Sequence, residues 1–165
     1  MRPPAALPTA SVLPLEADLR FRLGRAHRAV RGAWQAHIAD LGLTSAQASV
    51  LRAVLEQPGM GLRELARRLR TDPMNAKRLA DSLERAGFLV SGEHTADARI
   101  RVLSVTDTGA ATGREVARRA AAWGAALEAL LGADDTARLR VILTRLEEAP
   151  PVLASATGSG RQPDD

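Results

Sequence analysis

Between Leu15 and Asp40, Leu19, Leu23, Ala26, Val30, Ala33 and His37 recur with a 4-3-4-3-4 spacing, which places them on one face of a helix. Arg20, Arg22, Arg25, Arg28 and Arg31 fall mainly elsewhere. Gly24 and Gly32 weaken this helix by about 1 kcal/mol each relative to Ala, so packing has to hold it. Thr44, with Gln47 three residues on, has the capping-box arrangement and predicts a second helix to about Gln57, with Val50, Leu51 and Val54 inward. Pro58-Gly59 ends it. A shorter helix follows from Leu62 to Leu69, with Leu62, Leu65, Ala66 and Leu69 on one face and Gly61, which offers no side-chain acceptor, as its cap. Asp72 caps a fourth helix, and Pro73 takes its first position, where no N–H is needed. Ala76, Leu79 and Leu83 point inward, and Ala86-Gly87 closes the helix through a left-handed glycine.

After Gly87 the period changes. Phe88-Leu89-Val90 reads as a short strand, the polar stretch from Ser91 to Ala98 as a loop, and Ile100 to Val105 as a second strand. Helical spacing returns from Thr106, with Val116, Ala120, Trp123, Leu127 and Leu130 on one stripe up to Gly132. Asp134 is expected to cap a last helix, with Leu139, Ile142 and Leu146 on one face, which Pro150 stops. The predicted order is α-α-α-α-β-β-α-α. Short helices followed by a β-hairpin form a winged helix-turn-helix, so the fold class is mainly α with a small β-hairpin wing, flanked by further helices at both ends. In such a pair the second helix enters the major groove and the first crosses the backbone. Its outward residues here are Met74, Asn75, Lys77, Arg78 and Asp81. Asn suits adenine and Arg or Lys suits guanine, while the start of the helix also favours a phosphate. From position along the helix, a phosphate role is expected for Arg78, and base readout for Asn75 and Lys77.

Composition narrows the chemistry. The chain has 165 residues, enough for one ordinary domain with tails. Aromatic residues make up only 2%, so Leu, Val and Ala must build the core. The absence of cysteine excludes disulfides, thiolate metal sites and a Cys nucleophile. Net charge is +4, and Lys77 is the only lysine among 23 basic residues. Arginine makes bidentate contacts with phosphate and guanine that lysine does not. No stretch reaches the roughly 18 apolar residues of a membrane span, so no membrane partner is expected. Pro3, Pro4, Pro8 and Pro14 break the helix a signal peptide would need, which favours a disordered cytoplasmic leader over residues 1–14. The Pro/Gly/Ser-rich residues 150–165 read as a disordered tail, leaving 15–149 as the ordered part.

In order along the chain stand Leu43-Thr44-Ser45-Ala46-Gln47, Leu65-Ala66-Arg67-Arg68-Leu69, Asp72-Pro73, Arg78-Leu79, Leu83-Glu84-Arg85-Ala86-Gly87-Phe88-Leu89, Asp97-Ala98-Arg99 and Val105-Thr106-Asp107-Thr108-Gly109. With these motifs the chain resembles the MarR family of bacterial transcriptional regulators, strongly over 43–109. The resemblance implies a homodimer, with the winged helix-turn-helix at 43–105 and dimerisation helices at 15–40 and 107–149. It implies a double-stranded DNA partner, and a wing arginine that reaches the minor groove, Arg99, supported by Asp97. It also implies release from DNA by a small anionic or phenolic ligand bound between the dimerisation helices and the DNA-binding lobe. The chain departs from the family pattern at Ser91 and Gly92, where arginines are usual, at Ala98, often basic, and at Gly61, usually Thr or Ser. The wing thereby loses up to three positive charges, so DNA binding is expected to be weaker or more salt-sensitive than usual unless Arg101 or Arg67, Arg68 and Arg70 compensate.

Plainer readings stand beside these. Arg67 and Arg68 fit a solvated helix face as well as a DNA contact. Asp97 and Arg99 fit an ordinary loop ion pair. Trp34 and Trp123 fit core or interface packing first, with a ligand pocket of Trp34, His37 and His27 as the alternative. His27 and His37 lie ten residues apart on one helix and His94 is alone on the wing loop, so no metal is expected. GxxxxGK[ST], HExxH and GxSxG are absent from the sequence, the carboxylates are scattered, and neither an enzyme nor a cofactor is expected. Two functions remain: a ligand-released DNA-binding regulator, most often a repressor on a pseudo-palindrome, or a dimeric interaction protein of the same fold with weak or lost DNA binding.

Overall fold

The computed structural model describes residues 14–94 and 97–149, with the side chains of 93–100 outside that description. The expected leader (save Pro14) and tail lie outside the described residues. The chain divides into two units, up to Val116 and from Ala117, and the division falls within one helix.

The first unit opens with a 3-10 turn, Leu15–Ala17, and helix α1, Leu19–His37. The sequence predicted one helix through to Asp40. Instead Asp18 accepts a hydrogen bond from the Phe21 N–H at 3.2 Å and caps α1. At the other end Ile38 leaves helical geometry, and a 3-10 turn, Ala39–Leu41, closes on Gly42 at φ 67. The capping box at α2, Ser45–Glu56, is formed as expected: Thr44 Oγ1 accepts from Gln47 N–H at 3.2 Å, and Gln47 Oε1 from Thr44 N–H at 2.8 Å. Gln35 joins α1 to this start. Its Nε2 donates to the Leu43 carbonyl at 2.9 Å, and its Oε1 accepts from Ser45 N–H at 2.7 Å.

Met60–Gly61 is a strand, β1, that the periodicity did not reveal, because two residues carry no period. It precedes α3, Leu62–Arg68, and α4, Pro73–Arg85. The wing strands are β2, Leu89–His94, and β3, Asp97–Val105. The sheet order is β1-β3-β2, all antiparallel, with Met60 opposite Leu103 and Ser91 opposite Leu103 on the other side. The expected loop from Ser91 to Ala98 is therefore largely strand, with a register shift between Glu93 and His94. A hairpin arm is held by its backbone ladder, which needs no apolar alternation. Ile38, Val50, Leu51, Val54, Leu65, Leu83 and Leu103 are fully buried together, so the residue that ends α1 belongs to the same core as the helix-turn-helix, with Trp34 packed against it.

Helix α5, Asp107–Leu131, begins against the wing. Thr106 Oγ1 accepts from Gly109 N–H at 2.9 Å and donates to the Gly87 carbonyl at 2.7 Å. A Cβ on Gly109 would stand 1.9 Å from the Phe88 carbonyl oxygen, so only glycine fits there. The second unit holds the rest of α5 and helix α6, Ala133–Glu148. Asp134 does not cap α6 as expected. The N-cap is Gly132 at φ 81, without a side-chain bond, and Asp134 and Asp135 lie in the first turn, where their charge favours the N-terminal dipole. Leu130, Val141 and Ile142 are exposed, and so are Leu19, Leu23 and Val30 on α1.

Candidate nucleic-acid interface

Helices α3 and α4 meet through a turn whose geometry is closed by backbone bonds. Thr71 N–H donates to the Ala66 carbonyl at 3.0 Å, and Arg70 N–H to the Arg67 carbonyl at 3.2 Å. This is the Schellman pattern, with Arg70 in the left-handed position at φ 48. A non-glycine residue there costs roughly 1 kcal/mol. Asp72 then accepts from Asn75 N–H at 2.8 Å, and Pro73 starts α4, both as the sequence predicts.

Ala76, Leu79, Ala80 and Leu83 bury one face of α4 and fix its roll. The opposite face carries Met74, 74% exposed, with Lys77 and Arg78 also exposed. A shallow recess of about 160 Å³ lies among Met74, Lys77, Arg78, Asp81 and Arg85. Asn75 is half-buried and engaged on both sides: Nδ2 donates to Thr71 Oγ1 and Oδ1 accepts from Arg78 Nη2, each at 2.8 Å. The turn thus orients Asn75, and Asn75 orients the Arg78 guanidinium. Lys77 pairs with Asp81 one turn on. Its ammonium, aided by Arg101, holds the Asp81 carboxyl below the usual carboxylate range.

The two candidate arginines of α3 part company. Arg67 is exposed. Arg68 is exposed as well, but its guanidinium is engaged within the protein. It turns back to α2, where it pairs with Glu56 and donates to the Ala53 carbonyl at 3.3 Å. Arg101 is similarly engaged, by Asp81, Glu84 and Ser91, so its charge is already matched within the protein. Glu84 raises its already high pKa. Asp97 and Arg99 lie at the tip end of β3, with Asp97 opposite His94; their side chains lie outside the described residues.

Of the three pocket candidates, the structure brings two together. Trp34 is half-buried against the core, and its ring centroid lies 5.9 Å from that of His37. His27 is exposed, about 15 Å from His37 along α1 at the helical rise per residue. Among the described residues no group of three or more His, Asp or Glu is placed to hold a metal, and no helix is long and apolar enough to cross a membrane.

The lysine-aspartate pair at i,i+4 was legible in the sequence. The links through Gln35, Thr71, Ser91 and Arg101 were not, since each depends on how separate elements pack.

The MarR family model matches residues 43–100, the segment from α2 into the wing. The transcriptional repressor CouR, solved on a 23-mer DNA duplex, is 30% identical, with 81% of this chain and 94% of that chain covered and a TM-score of 0.74. The chain belongs to the MarR family. CouR from Rhodococcus jostii RHA1 bound to p-coumaroyl-CoA is similar at 25% identity and a TM-score of 0.69, with the same 81% and 94% covered. The PcaV regulator from Streptomyces coelicolor shares the fold, at 24% identity and a TM-score of 0.73 over 84% of this chain and 98% of that one. No curated protein matches. The MarR assignment agrees with the winged-helix architecture, and makes the chain a transcriptional regulator in class.

Proposed function

We propose that the chain is a DNA-binding repressor that grips a pseudo-palindromic operator as a homodimer and is released by a small anionic or phenolic ligand. The observation that carries the reading is the face of α4. Its inner side is locked into the core while Met74, Lys77 and Arg78 stand exposed, with Asn75 holding Arg78 from behind. The DNA-bound CouR relative supports the same use of the fold. Lys77 reaches base edges after exchanging Asp81 for a base, Arg78 meets phosphate, and Asn75 reads adenine by exchanging its local bonds. Arg67 adds backbone contact from α3, with Arg99 and its support Asp97 in the wing. Arg68 keeps its pair with Glu56 and contributes through the α2–α3 packing.

The exposed apolar faces of α1 and α6 support self-association, and the Trp34–His37 pair is the candidate wall of a ligand pocket. A CouR relative bound to a phenolic acyl thioester supports that ligand class. A non-DNA-binding interaction protein is favoured by one feature, the matching of Arg101 by acidic residues beside a wing that carries Ser91 and Gly92. A gel-shift titration on duplex DNA from the gene's own upstream region separates the two. A shifted complex that specific but not scrambled competitor removes is the expected result. Equal competition by both, or no shift, rejects the proposal.

A further inference from the structure

We propose that Arg101 is a positioning residue that sets the wing against the recognition helix α4, with the carboxylates of Asp81 and Glu84 as its seat. The inference rests on the DNA-binding reading above.

Arg101 lies two residues before Leu103 in β3, so both leave the same face of the strand. Leu103 is fully buried, and Arg101 follows it one pleat nearer the wing tip, beside α4. All three edges of its guanidinium are occupied. Nη1 stands 3.3 Å from Asp81 Oδ1, Nη2 donates to Glu84 Oε2, and Nε donates to Ser91 Oγ. The Ser91 hydroxyl in turn donates to Glu84 Oε1, and Lys77 holds the second oxygen of Asp81. One side chain therefore joins α4, β2 and β3, the elements that must enter neighbouring grooves together.

Asp81 and Glu84 need such a use. A carboxylate on a helix that approaches a polyanion weakens binding by its charge alone. Here two of them, three residues apart on one side of α4, converge on a single arginine. The Glu84 side chain is only 19% exposed, which lessens the solvent screening that makes surface pairs weak. The small side chain at Ser91 leaves room for Arg101 to reach Glu84 and bridges the two.

The competing role for Arg101, a phosphate contact, differs in sign and in salt dependence. The test uses the full chain, a duplex enriched by the wild-type protein from a random pool, and its scrambled counterpart, at several salt concentrations. The variants are Arg101→Ala, Arg101→Lys and the nearly isosteric Glu84→Gln. For a positioning residue, Arg101→Ala and Glu84→Gln each lower the ratio of specific to scrambled affinity about fivefold, the scale of a partly shielded ion-pair network. The salt slope stays unchanged, the thermal midpoints stay close to wild type, and Arg101→Lys recovers part of the ratio. In the DNA-free protein, amide exchange along β2 and β3 accelerates several-fold in Arg101→Ala. Tighter binding of Glu84→Gln to both duplexes overturns the inference. So does a salt slope lower by about one unit in Arg101→Ala with the ratio kept, the mark of a lost phosphate contact. Unchanged amide exchange overturns it without any DNA. Failure of the wild-type protein to enrich any sequence rejects the DNA-binding reading itself, while accelerated exchange would still show the clamp.

Discussion

Leu65, Leu83 and Leu103 are fully buried in the first unit, whereas Leu130 and Leu143 in the second remain 78% and 42% exposed. The residue type is the same and the surroundings differ. The winged-helix unit closes its core with material from α1 through the start of α5, and its exposed face is polar and basic. On helices α1 and α6, by contrast, Leu19, Val30, Val141 and Ile142 meet solvent in the single chain. Apolar patches of that kind are the ordinary mark of an interaction surface, which is how the proposed function uses them. On the proposed dimer reading the two regions have different tasks: the winged-helix core presents charge, and the exposed apolar faces of α1 and α6 are where two chains associate.

The largest expected effect breaks the first half of this comparison. Leu65→Ala removes a fully buried side chain and is expected to destabilise the folded chain by about 2–5 kcal/mol in denaturant unfolding. A cost below about 1 kcal/mol would mean that this core is not what holds the lobe. Gly109→Ala should cost about 1–3 kcal/mol, because the added methyl meets the Phe88 carbonyl and α5 has to shift. A neutral result in the same unfolding experiment would contradict the close approach.

The second half is sharpened on α6. Ile142→Glu is 50% exposed in the single chain, so it should leave helix content intact while weakening self-association by about 2 kcal/mol, read by sedimentation over a range of concentrations. Loss of helix content at all concentrations would place Ile142 in an internal core instead. A smaller effect is expected at Arg78→Ala: a modest loss of affinity for specific and scrambled duplex alike and a salt slope lower by about one unit, with stability unchanged. Loss of discrimination alone would make Arg78 a base reader. The smallest effect is at Arg70→Gly, which relieves the left-handed strain at φ 48 and should raise stability by about 0.5 kcal/mol.

The same contrast explains what the sequence made legible. The capping box at Thr44 and Gln47, the Asp72-Pro73 start and the Gly87 stop each act within a few residues, and all three were readable in advance. The inner face of α4 followed from spacing alone. Strand β1 and the long wing arms were not readable, because pairing with β3 rather than local composition creates them. Arg68 and Arg101 are the sharper cases. Sequence places a basic residue near a helix-turn-helix, but only packing brings Glu56 to the first, and Asp81 and Glu84 to the second. The outward residues of α4 were identifiable by elimination, whereas the bonds from Thr71 through Asn75 to Arg78 depend on the turn geometry set by Arg70.

The central claim is that α4 and the wing of two associated chains read one duplex, and hydroxyl-radical footprinting on the wild-type-enriched DNA tests it most directly. The account predicts two protected patches related by two-fold symmetry, with centres about one helical turn or a multiple of it apart. A single unsymmetrical patch, or protection that is uniform along the duplex, would contradict it.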